Sequence, residues 1–244
     1  MFVAPKPLDN IILYCLPFAG GDSRSYRNLQ QHLAPHILLK SPELRGRNSR
    51  INEAPLTNIH PIAADIFQQL QLTVGSRRYA LYGHSMGALL VYLVTQLILE
   101  QDFPPPTHLW VSGLPAPSIP RPLPHKYRLT KSEFINYIKD LGGLPEELLA
   151  YPDIVDFFEP ILRADVQAVE TYHYQVKPPF DLPLTIFDGE QDKNTTEAGL
   201  LAWQQETTQP ITRYEYQGGH FFINKHLAEI GRLISNTLNN DYLW

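Results

Sequence analysis

Short apolar runs alternate with longer segments of helical periodicity along the first half of this chain of 244 residues. The runs lack the polar alternation of a half-exposed strand, so they are typical of strands that are covered on both faces. The predicted strands are 11–16, 36–40, 79–82 and 109–113. The predicted helices are 23–33, 59–72 and 88–99. This alternation predicts an α/β fold with a mostly parallel central sheet, helices on both faces and right-handed connections.

The pattern changes between residues 114 and 181, where helical segments follow one another without an intervening strand. These segments are 129–141, 145–151 and 153–176. The sheet pattern then resumes with a strand at 183–187, a helix at 198–206, an edge strand at 212–216 and a closing helix at 223–238. An insertion after the carboxyl end of a strand projects towards the side where α/β proteins bind ligands. We therefore predict a single domain over 1–244 with a helical lid at 115–181; a helical subdomain without a role in binding is the alternative.

A Gly-x-Ser-x-Gly sequence at residues 83–87 joins the predicted strand at 79–82 to the helix at 88–99. A strand that turns into a helix within a few residues needs glycine where side chains would otherwise collide. Such a turn lifts the side chain of Ser85 clear of the sheet and places the N–H of Met86 at a helix N-terminus. This context predicts a nucleophilic serine, whereas a surface turn rich in Gly and Ser is the alternative.

A serine nucleophile needs a base, and the base needs an anion that fixes its tautomer. In a fold of this type the acid and then the histidine follow the serine along the chain. His220 comes after the last predicted strand and two glycines, so we predict that it is the base. The loop after the strand at 183–187 offers Asp188, Glu190 and Asp192 as the acid. On position alone, Asp192 and Asp188 stay the main candidates.

The first predicted strand ends in a loop with the sequence Pro-Phe-Ala-Gly-Gly at residues 17–21. The glycines permit a tight turn and a close approach of the backbone to a ligand. No Gly-Lys-Ser/Thr follows, which argues against a nucleotide-binding P-loop. When Ser85 attacks an acyl carbonyl, we expect the N–H groups of Ala19 and Met86 to hold the resulting oxyanion.

Charge and composition argue against several other classes of function. The net charge of −5 gives no reason to expect binding to nucleic acid or to an anionic membrane. The longest apolar run is too short to span a bilayer and the N-terminus lacks the apolar core of a signal peptide, so we predict a cytoplasmic protein, and we expect a monomer. The single cysteine, Cys15, is predicted to be a core residue. No spacing of His, Asp and Glu resembles a zinc site, so we expect no metal.

The loop at 42–50 carries Arg45, Arg47 and Arg50. Charged loops are most often simply solvated, and this is the interpretation we prefer. A contact for an acidic partner is the alternative.

Several motifs together resemble the free-standing type II thioesterases that accompany non-ribosomal peptide and polyketide synthases. The matching pieces are residues 16–21, 83–88, 141–145, 162–165, 170–172, 192–193 and 218–222. They span nearly the whole chain in the order of the family. The pieces within the predicted lid are the most discriminating, because generic hydrolases lack them.

The resemblance implies an α/β-hydrolase fold with a catalytic triad of Ser85, Asp192 and His220. It also implies that Ala19 and Met86 supply the oxyanion hole. The implied substrate is an acyl group on the phosphopantetheine arm of a carrier protein, and the implied enzyme has no cofactor of its own. Its task would be to clear stalled or misprimed acyl chains during peptide or polyketide biosynthesis.

The chain departs from the family pattern after the second predicted strand. The family usually has Pro-Gly-Arg-Gly or Pro-Gly-His-Gly there, whereas this chain has Arg-Gly-Arg-Asn at residues 45–48. The difference concerns the shape of the loop and docking of the carrier rather than the chemistry. An acyl-CoA or small-ester hydrolase, a product-releasing thioesterase and a non-catalytic binding module are the alternative functions.

Overall fold

The computed structural model describes residues 10–121, 125–143 and 150–240. The strands are β1 Ile11–Leu16, β2 Ile37–Lys40, β3 Tyr79–His84, β4 Leu109–Ser112, β5 Leu184–Gly189 and β6 Thr212–Tyr216. They form one sheet in the order β2-β1-β3-β4-β5-β6, and every neighbouring pair is parallel. The predicted α/β class with a parallel central sheet is confirmed.

Helices connect the strands and flank the sheet. They are α1 Ile59–Val74, α2 Met86–Glu100, α3 Lys131–Asp140, α4 Pro152–Glu170, α5 Glu197–Leu201 and α6 Leu227–Asn240. Helix α3 begins with a capping box, in which the Thr130 side chain accepts from the Glu133 N–H and the Glu133 carboxylate accepts from the Thr130 N–H. Helices α3 and α4 both lie between β4 and β5, within the predicted lid.

Four of the predicted helix ranges are wrong. The predicted helix at 198–206 is an α-helix only over Glu197–Leu201 and continues as a 3-10 helix, Ala202–Gln205. The predicted helix at 23–33 is only a 3-10 helix, Arg27–His32, because the Asp22 carboxylate accepts from the Arg24 N–H and holds the preceding residues in turns. Helix α4 ends at Glu170 rather than at residue 176. The closing helix begins at Leu227 and not at residue 223, after a separate 3-10 turn. The predicted helix at 145–151 lies largely outside the described residues.

The sheet is covered on both faces. Alternate side chains of β1 enter either a core with α1 and α2 or a core with α6, and all six are buried. Cys15 is one of them, which confirms its predicted place in the core. Two-sided burial explains why β1 is apolar without alternation.

Helices α3 and α4 pack on each other over the carboxyl ends of the strands. Their contact is an apolar cluster of Phe134 and Ile138 from α3 with Leu162 and Val166 from α4. The two helices therefore cover the edge of the sheet where the predicted site residues lie.

No helix within the described ranges is long and apolar enough to cross a membrane.

Candidate active site

Ser85 occupies a sharp turn between β3 and α2. Its backbone has φ +55° and ψ −117°, a left-handed conformation that is strained for a residue with a side chain. From Tyr79 to Thr95 Ser85 is the one residue that is not fully buried. The turn thus exposes its hydroxyl at the carboxyl end of the sheet, as predicted from the sequence.

The two glycines of the turn have no room for a side chain. A Cβ on Gly83 would lie 2.1 Å from the carbonyl oxygen of Gly87, and a Cβ on Gly87 would lie 2.2 Å from the carbonyl oxygen of Leu16. Both contacts are with backbone, which cannot move aside without displacing the helix or the sheet. The glycines therefore allow α2 to start directly against β1 and β3.

His220 bridges Ser85 and Asp192. Its Nε2 lies 3.0 Å from Ser85 Oγ, and its Nδ1 lies 2.8 Å from Asp192 Oδ2. Because an ionised carboxylate only accepts, Nδ1 carries the ring proton and Nε2 is left to accept from the serine hydroxyl. This is the geometry in which an imidazole can remove a proton from a serine.

Asp192 itself is held by its own loop. Its side chain is fully buried, and its Oδ1 accepts from the backbone N–H of Asn194 at 2.9 Å and from the Asn194 side chain at 3.0 Å. Oδ2 is thereby left to face His220. The local Asp-x-Asn pattern is a turn signal that sequence reasoning could have used and did not.

Asp188, the competing acid, has a different partner. It lies in β5 and forms a two-pronged ion pair with Arg213 of β6, with both N···O distances 2.8 Å. Glu190 is exposed. Among the three carboxylates of this loop, Asp192 is the one hydrogen-bonded to His220.

His84, also in the turn, packs beneath the site. Its ring is fully buried, lies 4.9 Å from the His220 ring between centroids, and has Nδ1 2.9 Å from Ser112 Oγ. Burial lowers the pKa of His84 well below its ordinary value, and the nearby His220 adds to this effect. His84 therefore resists protonation, and its Nδ1 faces Ser112 rather than Ser85.

The two residues predicted to supply the oxyanion donors line the same cavity as Ser85. Met86 is the first residue of α2, where backbone N–H groups have no partner within the helix. Ala19 lies in the loop after β1 and lines the same cavity as Ser85 and Met86. The structure therefore brings both predicted donors to the wall of the cavity that contains the serine.

A buried ion pair anchors the loop that carries Ala19. The N–H of Gly20 donates to Asp165 of α4 at 2.7 Å, and Arg47, from the loop after β2, pairs with the same carboxylate oxygen. The side chains of Arg47 and Asp165 are only 5% and 2% exposed. Gly20 has φ +78° and a Cβ there would lie 2.9 Å from Leu162, so α4 also packs directly on this loop.

A cavity of about 330 Å³ opens beside Ser85 and His220 under α3 and α4. Much of its wall is apolar. The apolar lining includes Phe18, Ile119, Ile138, Leu141, Leu162 and Val166. The cavity can hold an apolar chain whose reacting end meets the serine.

Within the described residues, no three side chains of His, Cys, Asp or Glu lie together as a metal site requires.

A comparison with known families decides the relationship. A family model described as the thioesterase domain matches residues 11–238. The chain belongs to the thioesterase domain family. The resemblance inferred from the sequence motifs is thereby confirmed, and the all-parallel sheet is that of the α/β-hydrolase fold.

Individual thioesterases show the same relationship. Gramicidin S biosynthesis protein GrsT of Aneurinibacillus migulanus is 33% identical over 218 residues, which cover 89% of this chain and 85% of GrsT. RedJ, a thioesterase from the prodiginine pathway of Streptomyces coelicolor, is 32% identical with a TM-score of 0.85, covering 95% of this chain and 90% of RedJ. The type II thioesterase BorB from the borrelidin biosynthetic cluster is 31% identical with a TM-score of 0.85, covering 95% of this chain and 93% of BorB.

In this thioesterase the arginines of the loop at 42–50 are paired with carboxylates of the protein itself. Arg50 lies 2.7 Å from Glu53 and 2.6 Å from Asp65, and Arg45 lies 3.4 Å from Glu53. Arg47 is buried against Asp165. The preferred interpretation of a simply solvated loop is wrong for Arg47, and these pairs favour a structural role for the loop over a contact with an acidic partner. Sequence reasoning missed the role of Arg47, because its partner is 118 positions away.

Breaking the pair of Arg47 and Asp165 should destabilise the thioesterase and slow it. We expect Arg47→Met or Asp165→Leu alone to lower the free energy of unfolding by about 3–5 kcal/mol, because each leaves a buried charge without its partner. The double variant Arg47→Met with Asp165→Leu should recover most of the lost free energy of unfolding, as measured by urea unfolding. Its kcat should stay low, because the Gly20 N–H still lacks its acceptor. A double variant with full kcat would show that Asp165 does not position the loop.

Proposed function

We propose that this thioesterase hydrolyses acyl groups from the phosphopantetheine arm of carrier proteins, with Ser85 as nucleophile, His220 as base and Asp192 as the acid that orients it. The observation that carries the proposal is the hydrogen-bonded chain from Ser85 to Asp192 beside a largely apolar cavity. Membership of the thioesterase family supports the same reaction.

The first half of the reaction transfers the acyl group to the enzyme. Ser85 Oγ attacks the thioester carbonyl carbon while its proton moves to His220 Nε2, and Asp192 stabilises the imidazolium. The carbonyl oxygen becomes an oxyanion that accepts from the N–H groups of Ala19 and Met86. The C–S bond then breaks, and the thiol of the arm leaves with the proton from His220.

The second half releases the acid. A water molecule gives a proton to His220 Nε2 and attacks the acyl-serine carbonyl, and the second tetrahedral intermediate uses the same two donors. When it collapses, Ser85 Oγ recovers its proton and the free acid departs. Apart from the substrate and this water, the proposed steps use only groups of this chain.

The relatives support a carrier protein as the partner. GrsT is named for gramicidin S biosynthesis and BorB as a type II thioesterase of the borrelidin biosynthetic cluster. The resemblance to the type II thioesterases of peptide and polyketide synthases implies an acyl group on a carrier protein as the substrate. We propose that the present chain clears stalled or misprimed chains from a synthase.

A comparison of kcat/KM for one acyl group on two different thiols tests the substrate class. The same acyl group, for example acetyl, is presented on a carrier protein and on coenzyme A, and kcat/KM is measured for each. We expect the carrier-bound form to be hydrolysed about tenfold or more faster, because contacts remote from the thioester contribute binding energy to the transition state. Equal or faster hydrolysis of the coenzyme A form would instead assign an acyl-CoA hydrolase.

A further inference from the structure

Arg121 is one of the cations that line the cavity. It lies in the connection between β4 and α3, and its Nη2 is inaccessible to solvent and has no hydrogen-bond partner within the described residues. Its one side-chain contact of note is with the face of Tyr172, 5.5 Å from guanidinium carbon to ring centre. The buried Arg47, by contrast, pairs with Asp165.

A buried donor without an acceptor is costly to folding. Leaving such a group unsatisfied costs the full desolvation of that group, and the cost is greater for a charged one. Burial lowers the pKa of Arg121, but a guanidinium remains charged at neutral pH. A residue with this cost and no structural partner is expected to meet its acceptor in a ligand.

The nearest acid does not satisfy Arg121. Glu170 of α4 is close enough to raise the pKa of Arg121, but its two carboxylate oxygens accept from the backbone N–H groups of Lys126 and Tyr127 at 2.9 and 3.1 Å. Glu170 therefore offsets the positive charge of Arg121 without supplying an acceptor to Nη2. What the site lacks is an oxygen atom, and a second anion there would be repelled by Glu170.

The other cations of the cavity are differently placed. Lys193 is exposed, and the ammonium of Lys126 lies 5.8 Å from the ring centre of Tyr137. The wall of the cavity also includes the apolar side chains of Ile119, Val166 and Val169. Arg121 is thus a cation on a largely apolar wall, and its Nη2 has no acceptor within the described residues.

We propose that Arg121 is a specificity-determining residue whose guanidinium turns towards the bound acyl chain and donates to a neutral oxygen on it, such as a ketone, a hydroxyl or an amide carbonyl. The inference rests on the proposed function and names its substrate class, oxygenated acyl chains in preference to plain alkanoyl chains. A site with a buried polar group discriminates strongly against a ligand that leaves that group unpaired.

Shape-matched thioesters test the proposal. The two members of each pair have the same chain length and differ only in the branch on the penultimate carbon, which is an oxygen in one and a methyl in the other. The pairs are 4-oxopentanoyl with 4-methylpentanoyl, 6-oxoheptanoyl with 6-methylheptanoyl, and 8-oxononanoyl with 8-methylnonanoyl. All are presented on N-acetylcysteamine, which has no phosphate. For at least one pair we expect the oxo/methyl ratio of kcat/KM to fall about tenfold or more in Arg121→Met, because a hydrogen bond from a charged donor is lost. An unchanged ratio in every pair would overturn the proposal.

Two further variants and the coenzyme A thioesters distinguish binding of the acyl oxygen from other roles of Arg121. Lys126→Met removes another cation of the same cavity and should leave the oxo/methyl ratio unchanged, and Arg121→Lys should restore part of it. The melting temperature of Arg121→Met should equal or exceed that of the wild type, because an unpaired buried donor is removed; a drop of several degrees would indicate a structural role instead. If Arg121→Met slows only the coenzyme A thioesters, and slows the oxo and methyl members alike, then Arg121 binds the arm and the acyl assignment is wrong.

The test separates this inference from the proposed function. If the proposed function fails, the wild type either hydrolyses none of the thioesters or hydrolyses the coenzyme A form of an acyl group at least as fast as its carrier-bound form. If only the role of Arg121 fails, hydrolysis proceeds and the ratio does not depend on residue 121. A carboxylate-ended chain, succinyl, preferred over 4-oxopentanoyl in an Arg121-dependent way would overturn the choice of a neutral oxygen.

Discussion

Replacing Ser85 by alanine will abolish the release of acetyl from a loaded carrier protein. The variant keeps the Cβ and therefore the strained turn, but removes the one hydroxyl that His220 Nε2 faces at 3.0 Å. We expect the rate of hydrolysis to fall by about 10⁴-fold or more, leaving only what the oxyanion donors and substrate binding contribute. Radiolabelled acetyl release measures the loss, and a fluorophosphonate probe should label the wild type and not Ser85→Ala.

The matched control is Ser76→Ala. Ser76 is exposed in the turn that precedes β3, at the opposite end of that strand from Ser85. This variant should be hydrolytically active and should react with the probe. Acetyl release by Ser85→Ala at the wild-type rate would contradict the mechanism, and probe labelling of that variant would place the nucleophile elsewhere.

Exchanging the two candidate acids for asparagine should separate their roles. Asp192→Asn presents an amide to His220 Nδ1, and that amide can donate to the ring and so favour the tautomer with the proton on Nε2. The ring can then no longer accept from Ser85, and we expect kcat to fall by about 10⁴-fold, the cost of the equivalent change in serine proteases. Steady-state hydrolysis at saturating substrate measures it.

Asp188→Asn, at the end of the preceding strand β5, is the matched control. It weakens the ion pair with Arg213, in which the Asp188 side chain is 3% exposed, and should lower the melting temperature. Well below that temperature its kcat should stay close to that of the wild type. The opposite pattern, with Asp192→Asn active and Asp188→Asn inactive, would reverse the assignment of the acid.

The sequence was sufficient for the parts of the site that depend on local pattern. The glycines around Ser85 and the strand–turn–helix context predicted the position of the serine, and the two glycines before His220 predicted a loop that reaches it. These features work because steric constraints on a tight turn act between neighbours in the chain.

Long-range pairing defined the parts that the sequence left open. Asp188 and Asp192 lie four positions apart in the sequence. The structure distinguishes them because Asp188 forms an ion pair with Arg213 on the adjacent strand. The ion pair of Arg47 and Asp165 joins two segments that periodicity cannot relate to one another. Nor does any local pattern show that Arg121 lies against a cavity without an acceptor.

The hydrogen bond between Gly20 and Asp165 joins the helical cover of the cavity to a loop of the active site. Helix α4 lines the cavity through Leu162 and Val166, and its Asp165 accepts from the N–H of the residue that follows Ala19. If the Ala19 N–H holds the oxyanion as proposed, a displacement of α4 that broke this hydrogen bond would also displace that donor. The shape of the acyl cavity and the geometry of the oxyanion hole would then change together.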